Sequence, residues 1–228
     1  MKTTGEQHLR FAVLATDVAL FTIHNNELFV RLFHVRRPPY FPDNWGLPGG
    51  LVHEKETVLE TAKRLVADRA HVAVDKVYFE QLYTFDAIDR DPRGRVVAVA
   101  YLALVPWDSL SAAEKADTDE TKWVPVSKAK KLAYDHDDML AFAKKRLASR
   151  IEYTTIIQKV LHKEFTLTEL ERAYTSILDT SIDKRNFRKK ILKLDILKPL
   201  KQKKTGGAYR PAQLYSFTRT NVEELAIL

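Results

Sequence analysis

Cysteine is absent from this 228-residue chain. That excludes disulfides, thiolate metal sites, iron–sulfur clusters and cysteine nucleophiles, and nothing points to an oxidising compartment. Glycine and proline are sparse, at 7 and 9 residues, which argues against a fibrous or largely disordered chain. Long apolar runs are missing too: the longest uncharged one, Val96 to Trp107, has twelve residues, well short of the roughly 20 needed to cross a bilayer. No membrane partner is expected. Met1 to Gln7 carries Lys2 and Glu6, and Asp17 interrupts the apolar stretch that follows, so a signal peptide fits poorly and a cytoplasmic location is the expectation. The seven histidines show no paired spacing on a helix face, so neither a metal site nor a cofactor is expected.

What is present is 45% hydrophobic and 29% charged residues, an ordinary globular composition with room for a medium domain and a small one. The charge is uneven. Basic residues exceed acidic ones by 22 to 21 over residues 1–150, but by 15 to 9 over residues 151–228. From Asp183 to Arg210, eleven basic residues face two acidic ones, a density suited to a phosphate backbone, with a solvated basic surface as the alternative. The pattern changes character near Arg150, so two domains are expected, residues 1–150 and 151–228.

In the first, Phe11–Ile23 and Leu28–Val35 have the composition of two strands joined by a turn at His24-Asn25-Asn26-Glu27. Glu56–Arg69 places Val58, Leu59, Ala62, Leu65 and Val66 on one helical face. Val77–Phe85 and Arg95–Val105 are strands about a Pro92/Gly94 turn, Lys122–Pro125 is a further short strand, and Asp137–Arg150 is a helix. Asp135 is placed to cap that helix, the preferred reading over catalysis by His136.

Trp45-Gly46-Leu47-Pro48-Gly49-Gly50, with Glu56 and Arg64 following at set spacing, resembles the opening of a Nudix box. That chemistry needs several carboxylates gathered around divalent ions. Here the glutamates that the family places after the arginine are replaced, and Asp68 alone remains acidic. Glu60 and Asp68 lie about 12 Å apart along the helix axis, so i,i+4 ion contacts with Arg64 on a solvated face are the expectation. No catalytic residue is assigned. Arg36 and the Arg90/Arg93/Arg95 loop are candidate partners for a diphosphate or polar sugar, with surface ion pairing as the alternative. Trp45 can stack on a base or serve as core.

Helical patterns follow over Glu152–Leu161, Leu167–Leu178 and Asp183–Leu194. The second begins with a capping sequence, Thr166-Leu167-Thr168-Glu169, and carries an apolar stripe through Leu170, Ala173, Tyr174 and Ile177. On the third, Phe187, Ile191 and Leu194 share one face, while Arg185, Asn186, Arg188, Lys189 and Lys193 occupy the other, beside Lys184. Leu192 falls among the cations and breaks the pattern. Two strand-like segments, Ile196–Lys203 and Ala212–Phe217, flank a Gly206-Gly207 tip. They make a wing whose Lys201, Lys203, Lys204 and Arg210 can hold phosphates, behind a helix able to enter a major groove.

A degenerate Nudix box followed by such a module resembles the Nudix-related transcriptional regulators. The stretches Asp89–Arg95, Tyr134-Asp135-His136, Asp183–Lys189 and Arg210–Tyr215 are similar to that family's. The resemblance implies an α+β chain: a Nudix-fold α/β/α sandwich that binds an effector and dimerises, then a smaller winged helix-turn-helix domain that binds a near-palindromic DNA operator. The effector it implies is ADP-ribose or a related NAD metabolite; the residues expected to bind it, from their chemistry and position, are Arg36, Trp45, Gly49, Gly50, Arg90, Arg93 and Arg95. The alternatives are an arabinose-type sugar, or residual ADP-ribose pyrophosphatase activity.

Overall fold

The computed structural model describes residues 11–205, 211–225 and 227. Strands β1 (Val13–His24) and β2 (Glu27–Arg37) form a hairpin in which Asn25 and Asn26 take φ of 51° and 63°. Positive φ at both turn positions matches the right-handed twist of paired strands, and asparagine tolerates it. The sheet adds β3 (Phe41–Gly46), β4 (Gly49–Leu51), β5 (Tyr78–Phe85), β6 (Val96–Leu104) and β7 (Thr121–Pro125). Its main order is β3-β2-β1-β6-β5, with β4 paired to β1 and β7 to β2. β1 and β6 run parallel at the centre, which is why both are nearly continuous in apolar residues: a central strand is buried on two faces.

The pleat sorts those residues into two layers. Val18, Leu20, Tyr101 and Ala103 pack with Ala62 and Val66 of helix α1 (Val58–Asp68). Ala19, Phe21, Ala100 and Leu102 share the opposite core with Met139, Leu140, Ala143 and Leu147 of the long helix. The result is an α/β/α sandwich. On α1 the buried positions are Thr61, Ala62, Leu65 and Val66, whereas Leu59, expected inward, is exposed. A short capped helix α2 (Ala112–Lys115) and the long helix α3 (His136–Tyr153) complete this part.

The helix expected over 152–161 does not form. α3 runs unbroken through Arg150 to Tyr153, and a 3-10 turn follows over Thr155–Lys159. The chain's tail explains the break: Thr155 N–H donates to Glu223 O at 2.9 Å, and the Thr154 hydroxyl donates to Arg150 O at 2.7 Å, fixing an extended residue between helix and turn.

The C-terminal part contains β8 (Phe165–Thr166), α4 (Leu167–Leu178), α5 (Lys184–Lys193), β9 (Leu197–Lys204) and β10 (Ala212–Phe217), with strand order β8-β10-β9. This is a winged helix. The capping box foreseen at Thr166 forms with Glu169, and Asp183 caps α5 through the Asn186 N–H at 2.8 Å. The Gly206-Gly207 tip and Arg210 lie outside the described residues.

Candidate effector cleft and nucleic-acid interface

A cleft of about 570 Å³ opens beside β2, β4 and the C-terminal half of α1. Its floor is ionic and buried. Arg90, 3% exposed, donates through Nε to Asp135 Oδ2 at 2.8 Å and through Nη2 to Asp135 Oδ1 at 2.7 Å, with Asp17 Oδ2 at 3.4 Å. His136 Nδ1 accepts the Leu47 N–H at 2.9 Å, which leaves Nε2 as the protonated nitrogen facing Asp17, 3.4 Å away. Asp135 therefore does not cap α3 with its side chain, as expected from sequence; the Arg90 fork claims both its oxygens. The glycines of the box have internal reasons. A Cβ on Gly49 would lie 2.0 Å from Asp17 Oδ1, and one on Gly50 would lie 2.9 Å from Leu65 Cδ2, so only glycine lets β4 close over the Asp17 carboxylate and α1.

The expected i,i+4 contacts of Arg64 are absent. Glu60 is consumed by its capping box with Thr57, and Arg64 turns instead to Glu56, Nε to Oε1 at 2.7 Å and Nη2 to Oε2 at 2.9 Å. Thr61 also donates to Glu56 Oε2, at 3.0 Å. The Arg64 fork, opposed by partial desolvation, holds the Glu56 carboxyl down to about 2. The Nudix fold implies a divalent cation at this box, and the donor set does not fit one. Both Glu56 oxygens are engaged by neighbouring donors, and among the described residues no three His, Asp or Glu side chains gather.

Of the arginines singled out from sequence, Arg36 lines the cleft and is exposed, with no ion pair among the described residues. Arg93 also lines it, but its guanidinium is forked onto Asp91 at 2.7 and 2.9 Å and sits 5.5 Å from the Tyr134 ring centre. Arg90 is part of the floor rather than a free cation. Arg95 faces away, donating to the Asp86 and Ala87 carbonyls at 2.7 and 3.0 Å. Trp45 is likewise outside the cleft lining, stacked on His34 at 4.8 Å with Lys122 Nζ 3.8 Å from its centre. Sequence reasoning missed Arg37 and Arg69, both on the cleft, the latter 4.7 Å over the Phe33 ring. Arg69 becomes legible only once the C-terminus of α1 is seen against β2.

On α5, Phe187 and Ile191 are buried, Phe187 5.0 Å from Tyr174 of α4, while Arg185, Asn186, Lys189 and Lys193 are exposed. Two of the expected DNA-facing cations are instead tied to α4. Arg188 donates to Thr168 Oγ1 at 2.9 Å and lies 3.8 Å from Glu171, and Lys184 approaches the same carboxylate at 3.4 Å. Glu171 is buried, and these two part-exposed cations are its nearest counter-charges among the described residues. On the wing, Lys203 is exposed, whereas Lys204 is paired with Glu169 at 2.5 Å.

Residues 14–143 match the NUDIX domain model, and residues 157–217 match the NrtR DNA-binding winged helix domain model. A protein of Acinetobacter baylyi described as an ADPR responsive transcriptional repressor, NtrR, is 31% identical over 90% of this chain and 82% of its own length. The chain belongs to the NrtR family. Its fold matches crystalline Shewanella oneidensis NrtR complexed with a 27mer DNA, at TM-score 0.78 and 32% identity over 90% of this chain and 93% of that one. It also matches the NUDIX domain of Shewanella oneidensis NrtR complexed with ADP ribose, at TM-score 0.53 and 33% identity over 63% and 94% of the two chains.

In this NrtR-family chain strand β2 and helix α3 both reach from the cleft to helix α4. The C-terminal half of β2, Phe33 to Arg37, lines the cleft. Near its other end the Leu28 N–H donates to Ser176 Oγ of α4 at 2.8 Å, and Lys144 of α3 pairs with Asp179 at the end of α4. Helix α4 carries the packing surface of α5. Among the described residues no helix is long and apolar enough to cross a membrane.

Proposed function

We propose that this chain is an ADP-ribose-responsive, DNA-binding transcriptional repressor whose Nudix domain holds its ligand without hydrolysing it. The observation that carries this reading is the division of labour in the cleft. Glu56, the box carboxylate, is neutralised by Arg64, while Arg36, Arg37 and Arg69 present guanidinium groups toward a cavity large enough for a dinucleotide-sized ligand. Guanidinium forks favour phosphate oxygens. A diphosphate therefore has positive partners in the cleft and no carboxylate-held metal to polarise it. The family relatives named above support ADP-ribose over a neutral sugar as the effector.

Residues 1–150 are assigned to effector binding and residues 151–228 to DNA binding. Two copies of the chain, joined through their Nudix domains, present two α5 helices to a near-palindromic operator. Ligand-induced movement of β2 is relayed through Ser176 and Asp179 to α4 and so to α5, making duplex affinity depend on cleft occupancy. Calorimetric titration of the full chain with ADP-ribose and with arabinose, followed by product analysis in the presence of Mg²⁺, tests the ligand half of this reading. Saturable binding of intact ADP-ribose is expected. Conversion to AMP and ribose 5-phosphate with catalytic turnover, or binding of the sugar alone, would overturn it.

A further inference from the structure

The cationic face of α5 contains one large apolar side chain, and it is not covered. Leu192 is 45% exposed, although Phe187 and Ile191 of the same helix are 3% and 1% exposed. A hundred degrees per residue puts Leu192 between Arg188 and Arg185 on the outward arc, one turn beyond Lys189. Arg185, Lys189 and Lys193 around it are exposed as well. An exposed leucine in the middle of a phosphate-attracting surface gains nothing from water, and the charges around it exclude an apolar protein partner. The apolar feature that a DNA major groove offers, inside a rim of phosphates, is the C5-methyl group of thymine.

We propose that Leu192 is a specificity-determining residue that packs on a thymine methyl in the operator. This rests on the DNA-binding reading above and adds a position to it. Leu192 lies seven residues from Arg185, about 10 Å along the helix axis, so the two side chains address different base pairs. Arg185 can read a guanine edge by hydrogen bonding. Leu192 discriminates by burial alone, which a substitution to uracil removes without touching any hydrogen bond.

The test uses the full chain and a random duplex pool. Duplexes retained by the wild-type protein are sequenced, and each thymine in the best binder is replaced in turn by deoxyuridine. At one position per half-site, loss of the methyl is expected to weaken wild-type binding about fourfold, the worth of one buried methyl group, and to leave Leu192→Ala unaffected. If every thymine-to-uracil change acts equally on wild type and Leu192→Ala, the inference is overturned while the DNA reading stands. If the pool yields no retained duplex at all, the DNA reading itself fails and takes the inference with it.

Discussion

Arg90 and Asp135 face each other as a closed fork, with paired contacts of 2.8 and 2.7 Å beneath the cleft. Asp17, 7% exposed, completes the group at 3.4 Å. Two carboxylates at one buried site can both stay ionised only while a cation lies between them. Arg90→Ala leaves both without it and is expected to lower unfolding stability by about 3–5 kcal/mol, read by chemical denaturation. A loss below about 1 kcal/mol would show that the floor is not held by this charge.

Glu114 contributes to the acid sensitivity of the Nudix domain. Burial alone would raise its carboxyl, but N–H groups of Ala73 and Ser111 at 2.8 and 2.6 Å, with Lys76 at 3.0 Å, more than reverse this and hold it down to about 2, from an ordinary 4.5. A depressed carboxyl stabilises the fold fully above its unfolded value and loses that contribution as pH falls through the folded one. Wild-type stability should therefore decline between about pH 4.5 and 2 more steeply than that of Glu114→Gln. Parallel pH–stability curves would contradict the assignment.

Strands β1 and β2 were legible in outline from their Val, Leu, Ile and Phe content and the turn between them, and helices α1 and α4 from apolar residues recurring at about 3.6. Short strands were not. β4 is three residues built from Gly49, Gly50 and Leu51, and β8 is two, Phe165 and Thr166; neither is long enough to show a period. The cleft was half legible. Arg36 and Arg93 reach it, but the same charge that made Arg90, Arg188 and Lys204 stand out in sequence also drew them to Asp135, Glu171 and Glu169. A basic residue's partner depends on which acid the fold brings near it, and nothing local encodes that. Trp45, on strand β3, and Arg95, in the loop before β6, stand outside the cleft lining; local sequence does not say which neighbours a side chain will turn to.

Coupling between cleft and tail should run through Ser176. Its hydroxyl is the acceptor for the Leu28 N–H at 2.8 Å, and Ser176→Ala leaves the hairpin end unanchored. The factor by which ADP-ribose alters duplex affinity is expected to fall about fivefold, equivalent to the loss of roughly 1 kcal/mol. Ligand affinity measured on the protein without DNA should change little. An undiminished factor would remove β2 from the relay.

The α5 cations should divide into three behaviours. Arg185→Ala is expected to cost about 1–3 kcal/mol in duplex binding and to relax sequence preference, and Lys189→Ala to weaken binding to all duplexes while reducing the salt slope by about 1. Arg188→Ala, whose side chain holds Thr168 at 2.9 Å, should first lower thermal stability of the winged helix. Arg188→Ala with unchanged melting but lost specificity would place that side chain on the DNA instead.

Anisotropy of a labelled duplex recovered from the random pool, titrated with the full chain at fixed salt with and without saturating ADP-ribose, tests most directly whether cleft occupancy governs DNA binding. ADP-ribose should weaken duplex affinity at least about fivefold, and the nucleotide should be recovered intact. Identical binding curves under the two conditions would contradict the link between the two domains.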